Sequence, residues 1–379
     1  MHICFDASAA LHQGAGIGRY GREMIPRLRA LLDPDEHLSL FTNDARRVVV
    51  PAALAALPRY SIPLGNKPWR LRVVLGYLLR RGEEAMLPST ELFFAADHLL
   101  PYLPRIQRII NVRDLSYLTH PAYHSLPAGI FQRRMMPLFV RHANHIIVPS
   151  LATRRDLEHY YHVPTSKITI IAEGVDDRYR TPIPADTINA LRQRLRLPAR
   201  YILHVGTFEP RKNVMGLLDA FTSLAHDPAL ADVALVLAGN PGWRYQATLD
   251  HLAALQLGER VRRIGRVEES DLPALYAGAT VFAFPSWYEG FGLPPLEAMA
   301  SGTPVVAAAV ASLPEVIGDA GLLVAPGDSA GIAAALRALL ERPALHARLQ
   351  AEGRTRAAHF TWERTASATV KVWRGVREK

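Results

Sequence analysis

Glu289 and Glu297, with seven residues between them, lie in the stretch Phe284 to Val306, FPSWYEGFGLPPLEAMASGTPVV. The short apolar run before it, Ala279 to Phe284, suits a buried strand. Between the carboxylates, Gly290 and Gly292 let backbone N–H groups approach a ligand closely. Pro294 and Pro295 stand where a first helical turn tolerates proline. A helix is expected over Leu296 to Ser301, ended by Gly302 as a C′ residue. Strand, glycine loop and helix N-terminus together favour an anion, most often a phosphate. The carboxylates cannot bind phosphate, but they can accept hydrogen bonds from sugar hydroxyls on either side of it. Phosphate flanked by two hydroxyl-bearing groups describes a nucleotide sugar. The alternative is an ordinary βα unit whose glycines only turn the chain.

Other stretches repeat this arrangement. The strand Tyr201 to Val205 runs into Gly206-Thr207-Phe208-Glu209-Pro210-Arg211-Lys212-Asn213 and a helix through Leu224. Arg211 and Lys212 stand at the mouth of that helix, where phosphate charge would gather. As a bare pair they could equally be solvated surface. Lys212 is expected to be exposed. Near the N-terminus, the strand His2 to Asp6 precedes Gly14-Ala15-Gly16-Ile17-Gly18-Arg19-Tyr20 and the periodic Ile25, Leu28, Leu31 and Leu32. A lone glycine loop of this kind is weak evidence of a nucleotide site. Further strands are expected at Leu92 to Ala95, Gln107 to Val112, Asn144 to Val148, Ile168 to Ile171, Val233 to Leu237 and Val261 to Ile264. No Asp-x-Asp motif is read as a metal site and His-Glu-x-x-His spacing is absent, so no metal and no cofactor are expected.

Beyond its glutamate spacing, the phrase EGFGLPPLEAMASGTPVV closely resembles family 4 glycosyltransferases, and Glu-x7-Glu matches the pattern of retaining enzymes with the GT-B fold. The resemblance covers nearly the whole chain. It includes the GIGRY loop, Arg113-Asp114-Leu115, Glu173-Gly174-Val175-Asp176, GTFEPRKN, Gly265-Arg266-Val267, Pro314-Glu315 and Phe360-Thr361-Trp362. It implies an α/β protein with two Rossmann-like parallel-sheet domains facing a central cleft. The N-terminal domain, 1–180, would bind acceptor and the C-terminal domain, 181–358, the nucleotide sugar. A last helix, 359–379, would cross back to the N-terminal domain.

The resemblance also implies roles. Glu289 would hold the sugar hydroxyls and Glu297 the ribose, with Arg211 and Lys212 on the diphosphate. Gly16 and Gly18 would close over the diphosphate or shape the acceptor pocket, with Arg19 as a further cation. Gly290, Phe291, Gly292 and Leu293 would cradle the donor, and Arg266 and Val267 would read the base edge. Two positions depart from the pattern. Arg113 stands where similar members have His, and Thr207 where many have a second Arg. Arginine donates hydrogen bonds and cannot accept them, so Arg113 is expected to act on phosphate charge in place of the missing arginine. His120 is expected to be structural or loop-borne.

The implied reaction is metal-independent, retaining transfer of a hexose to a growing bacterial polysaccharide or a lipid-linked saccharide. Mannose from GDP-mannose is favoured and a UDP-sugar is the other donor class considered. A nucleotide-sugar epimerase and a non-catalytic nucleotide-sugar-binding partner are the alternatives.

Composition agrees with two domains. The chain has 379 residues, 49% hydrophobic and 21% charged, so each half can bury a core. Its single cysteine, Cys4, excludes an internal disulfide framework and fits a reducing cytoplasm. No secretion signal and no membrane-spanning run are read. The formal charge of +9 admits nucleic acid, an anionic membrane or phosphorylated substrates. The basic residues are dispersed and no nucleic-acid motif is present, so nucleic acid is set aside. One stretch, Lys67 to Arg81, places five basic residues among apolar ones. A basic amphipathic helix could lie on an anionic membrane, which is retained as a partner. Its faces segregate poorly, however, which favours a packed surface helix with solvated arginines.

Overall fold

The computed structural model describes residues 1–12, 16–43 and 52–377. Gly14 and Ala15 of the first glycine loop lie outside them. The chain forms two compact units. The first comprises Met1–Thr119, Leu126–Gly174 and Thr361–Lys379; the second comprises His120–Ser125 and Val175–Phe360.

The first unit is built on seven parallel strands: β1 (His2–Asp6), β2 (His37–Asn43), β3 (Arg59–Ile62), β4 (Leu92–Ala95), β5 (Gln107–Asn111), β6 (His145–Val148) and β7 (Ile168–Ile170). Their spatial order is β3-β2-β1-β4-β5-β6-β7. The central strands β1 and β4 are apolar through their middles, as strands covered on both faces must be; Ile3, Cys4, Phe5, Phe93 and Phe94 are fully buried. Strand order reverses at β1, between β2 and β4, which makes the carboxyl ends of β1 and β4 the switch point.

The helix Trp362–Arg377 belongs to this unit. Its Trp373 packs edge-on to Phe94 of β4 at 5.4 Å, and Trp362 meets Tyr20 at 5.9 Å. Each buried tryptophan removes about 200 Å² from water, ~5 kcal/mol as an upper figure for apolar burial. Arg374 binds Asp33 at 2.7 Å and Glu36 at 2.6 Å, and Arg27 binds Glu363 at 2.7 Å.

Within the same unit, the helix Asn66–Leu79 explains why its sequence segregates poorly. Trp69, Val73 and Gly76 are buried on one face. Leu71, Leu75, Leu78 and Leu79, within a ~100° arc roughly opposite, are exposed. The helix is therefore apolar on two sides. No helix among the described residues is long and apolar enough to cross a membrane.

The second unit holds six parallel strands: β8 (Arg200–Val205), β9 (Val233–Ala238), β10 (Val261–Gly265), β11 (Val281–Phe284), β12 (Val305–Ala308) and β13 (Leu322–Val324). Their order is β10-β9-β8-β11-β12-β13. Chain direction across the sheet reverses at β8, between β9 and β11. A ligand site is expected outside the carboxyl ends of β8 and β11.

Candidate active site

Two loops meet at that switch point. After β8 the chain makes one tight turn, Pro210–Lys212, before the helix Val214–Ala225. Asn213 joins them in the left-handed region at φ 54° and clamps the neighbouring loops, its Nδ2 donating to the carbonyls of Pro285 (3.0 Å) and Pro326 (2.7 Å). After β11 the second loop carries Glu289 and ends at Gly292, whose φ of +118° and 2.8 Å approach of Leu313 to a Cβ position both call for glycine. The helix then starts at Leu293, three residues earlier than expected, and runs to Ala300; Gly302 has φ +77°, the C′ conformation foreseen for it. Pro294 and Pro295 have no N–H, so Leu293 and the loop residues Gly290, Phe291 and Gly292 are the amides this turn can present to an anion.

The loops bring Arg211, Lys212 and Glu289 together. Lys212 Nζ lies 2.7 Å from Glu289 Oε1, and Arg211 Nη1 lies 2.9 Å from Oε2. Arg211 also pairs with Glu209 at 2.8 Å and donates to the Tyr288 carbonyl at 2.8 Å. Contrary to expectation, Lys212 is largely buried, with 12% of its side chain accessible. Its ammonium lies over the Phe284 ring at 4.9 Å. Burial lowers its pKa against the pull of Glu289. Burial would raise the Glu289 carboxyl, but Arg211 and Lys212 outweigh it and hold the pKa below the ordinary glutamate value. Ser312 fixes the loop, its Oγ donating to the carbonyls of Glu289 (2.8 Å) and Phe291 (2.7 Å). Beneath the site, His204 Nδ1 donates to Ala283 at 3.0 Å, and burial pushes its pKa down to about 4, so it stays neutral beside Lys212.

Glu297 lies one helical segment further on. It is buried, and Tyr276 donates its hydroxyl to Oε2 at 2.9 Å. A carboxylate offers about four acceptor positions, so a ribose would share this group with Tyr276. Gly290, Phe291 and Gly292 are buried in the loop itself, and Leu293, the first residue of the helix, is half-buried. Thr207 is exposed just after β8; Arg266 is exposed and Val267 half-buried just after β10.

The remaining candidates belong to the first unit. Gly16, at φ 52°, and buried Gly18 open the helix Ile17–Leu31. Arg113 follows β5, and its charge is met within its own unit by the buried carboxylate of Glu173. Its guanidinium also stacks over the Tyr20 ring at 4.9 Å. The expected action of Arg113 on a diphosphate would therefore share its guanidinium with Glu173, as the five donors of an arginine allow. His120 stacks on Tyr123 at 5.6 Å and lies 5.5 Å from Tyr288, both in the second unit. Asp33 and Asp35 do have Asp-x-Asp spacing, but Asp33 is occupied by Arg374. Among the described residues no cluster of metal-ligating side chains occurs.

Known proteins agree with this architecture over the full length. The profile described as "Glycosyltransferase Family 4" matches residues 16–179, and "Glycosyl transferases group 1" matches residues 188–356. The Escherichia coli O-antigen chain mannosyltransferase B is 31% identical across 99% of this chain and 100% of its own. The chain is a family 4 glycosyltransferase of the GT-B type. The D-inositol 3-phosphate glycosyltransferase of Salinispora arenicola shares 36% identity over 62% of this chain and 55% of that protein. Among solved structures, sucrose-phosphate synthase from Thermosynechococcus elongatus superposes with a TM-score of 0.79 at 22% identity, covering 100% of this chain and 99% of that one. Anabaena HepE in complex with UDP and glucose gives 0.78 at 20%, covering 99% and 100%. These two likenesses establish the fold.

For this glycosyltransferase, sequence reasoning did not identify Glu209, Ser312, Tyr276 and Glu173 as partners of site residues. Glu209 had a signal, being two residues before Arg211. Ser312 and Tyr276 are brought in only by folding.

Proposed function

We propose that the glycosyltransferase moves a hexose from a nucleotide-diphosphate sugar to a polysaccharide or lipid-linked saccharide acceptor, with retention at the anomeric carbon. The observation that carries this is the Arg211–Lys212–Glu289 cluster at the β8/β11 switch point. Lysine offers three donors and arginine five. Both can therefore hold Glu289 and still donate to a diphosphate, stabilising charge as the leaving group departs. A site that meets leaving-group charge with two cations and loop amides supports a metal-independent reaction. Glu289 has acceptor capacity left for sugar hydroxyls. No side chain beside it is a separate nucleophile in this reading, so a front-face displacement within an ion pair is favoured over a covalent glycosyl-enzyme.

GDP-mannose is the favoured donor, supported by the full-length likeness to a mannosyltransferase; a UDP-sugar is the competing class.

Calorimetry with paired ligands tests the division between the two glutamates. Glu297→Ala weakens GDP and GDP-mannose alike, by roughly 1.5–3 kcal/mol, the worth of a hydrogen bond to a charged group. Glu289→Ala weakens GDP-mannose more than GDP, because only the donor carries the hexose. Equal losses for both variants on both ligands would overturn these roles.

A further inference from the structure

Among the described residues, ten large hydrophobic side chains are exposed, and six of them lie on just two helices of the first unit. Leu71, Leu75, Leu78 and Leu79 line the outer face of Asn66–Leu79, and Ile130 and Leu138 lie on Leu126–His142. The helices are neighbours. Arg70 stacks over Phe131 at 5.3 Å, and Tyr77 packs against Phe139 and His142, each at 5.5 Å. Leu78 and Leu79, at 71% and 68% accessible, are as open as surface lysines usually are. Single exposed leucines need no explanation, but a grouped set marks a contact surface.

Charge identifies the occupant. Neither helix contains an Asp or Glu. Lys67, Arg70, Arg80 and Arg81 surround the first helix, and Arg134 and Arg141 project from the second, all exposed. Arg72 is paired with Glu83 at 2.8 Å, and the six cations just named have no ion-pair partner among the described residues. A second copy of this chain would set cation against cation across such a face. An anionic bilayer supplies both missing complements: acyl chains for the leucines and headgroup phosphates for the arginines and lysine.

We infer that the paired helices Asn66–Leu79 and Leu126–His142 form a docking surface for an anionic lipid bilayer, with Leu71, Leu75, Leu78 and Leu79 entering the interface and the flanking cations remaining at headgroup level. Long basic side chains suit that level because their stems lie along apolar surface while their charges stay wet. The surface belongs to the first unit and does not depend on which sugar is transferred.

Co-sedimentation of the full-length protein with sucrose-loaded vesicles tests it. Vesicles of phosphatidylcholine containing about a third phosphatidylglycerol capture the protein, whereas pure phosphatidylcholine captures little, and raised salt weakens capture. The double variant Leu78→Ser, Leu79→Ser, whose changed side chains are solvent-exposed, lowers capture roughly tenfold or more. It keeps its helical circular dichroism and its nucleotide affinity. Arg80→Gln with Arg81→Gln reduces the preference for phosphatidylglycerol. Three results overturn the inference: no capture by the anionic vesicles, capture unchanged by the leucine substitutions, or a dimer in solution that the leucine substitutions abolish.

Discussion

Replacing Lys212 with alanine lowers turnover of the nucleotide-sugar donor by roughly 10²-fold or more, the usual consequence of losing one preorganised charge contact to a developing anion. The size of the effect follows from where the ammonium sits. It is nine-tenths buried, held at 2.7 Å by Glu289 and over the Phe284 ring. In such a place an interaction with phosphate is screened far less than in water. Because the side chain is buried, alanine also removes packing, and Lys212→Met separates the two effects by keeping most of the stem. Glu289 keeps Arg211 as a partner in either variant, so the carboxylate is not left buried alone. Steady-state kinetics on both variants provide the check. Turnover equal to that of the parent in a folded variant contradicts the diphosphate assignment.

Arg113→Ala produces the largest loss of stability, roughly 3–5 kcal/mol, because it leaves the buried Glu173 carboxylate without its cation. Burial already raises the Glu173 pKa, and Arg113 opposes that rise. Without the arginine, the native state favours protonated Glu173 still more. The penalty is therefore present in full at neutral pH. It fades as pH falls toward the unfolded-state glutamate value of about 4.3, where both states hold the proton. Adding Glu173→Gln removes the charge and recovers much of the loss at pH 7, giving a non-additive cycle. Urea denaturation of the parent and the three variants at pH 7 and pH 5 measures this. Additive losses that do not change with pH would show that the pair is not coupled. Arg113→His then acts first through Glu173 rather than through the donor.

These two residues also show what a linear sequence conveys. The Glu289–Glu297 loop was legible because its strand, glycines, prolines and carboxylates are consecutive, so local rules suffice. Arg211 and Lys212 were legible for the same reason, but their burial was not, since it comes from Phe284 and Glu289 on another loop. Arg113 was recognised as unusual in isolation. Its partner Glu173 sits beyond two more strands of the sheet, and only the packing of that unit joins them. Likewise, nothing local links Tyr276 to Glu297 or Ser312 to the Glu289 carbonyl. The parallel α/β architecture was visible in the strand–helix alternation. β2, β3 and β12 were overlooked; β3 is a short edge strand, half of it exposed, with little apolar pattern to reveal it. The helix Asn66–Leu79 is the packed surface helix with solvated arginines that was expected, but its exposed leucine face was not legible. A single amphipathic face gives a clear period, whereas a buried face and an exposed leucine face on opposite sides cancel.

The anomeric configuration of the product tests the central claim most directly. Purified protein is incubated with GDP-mannose and a mannose-terminated oligosaccharide in the presence of a chelator, and the new glycosidic bond is read by proton NMR. Retaining transfer by the Arg211–Lys212–Glu289 site predicts a product with the donor's own anomeric configuration, formed without added metal and lost in Lys212→Met. A product of inverted configuration, or one formed equally well by Lys212→Met, would contradict it.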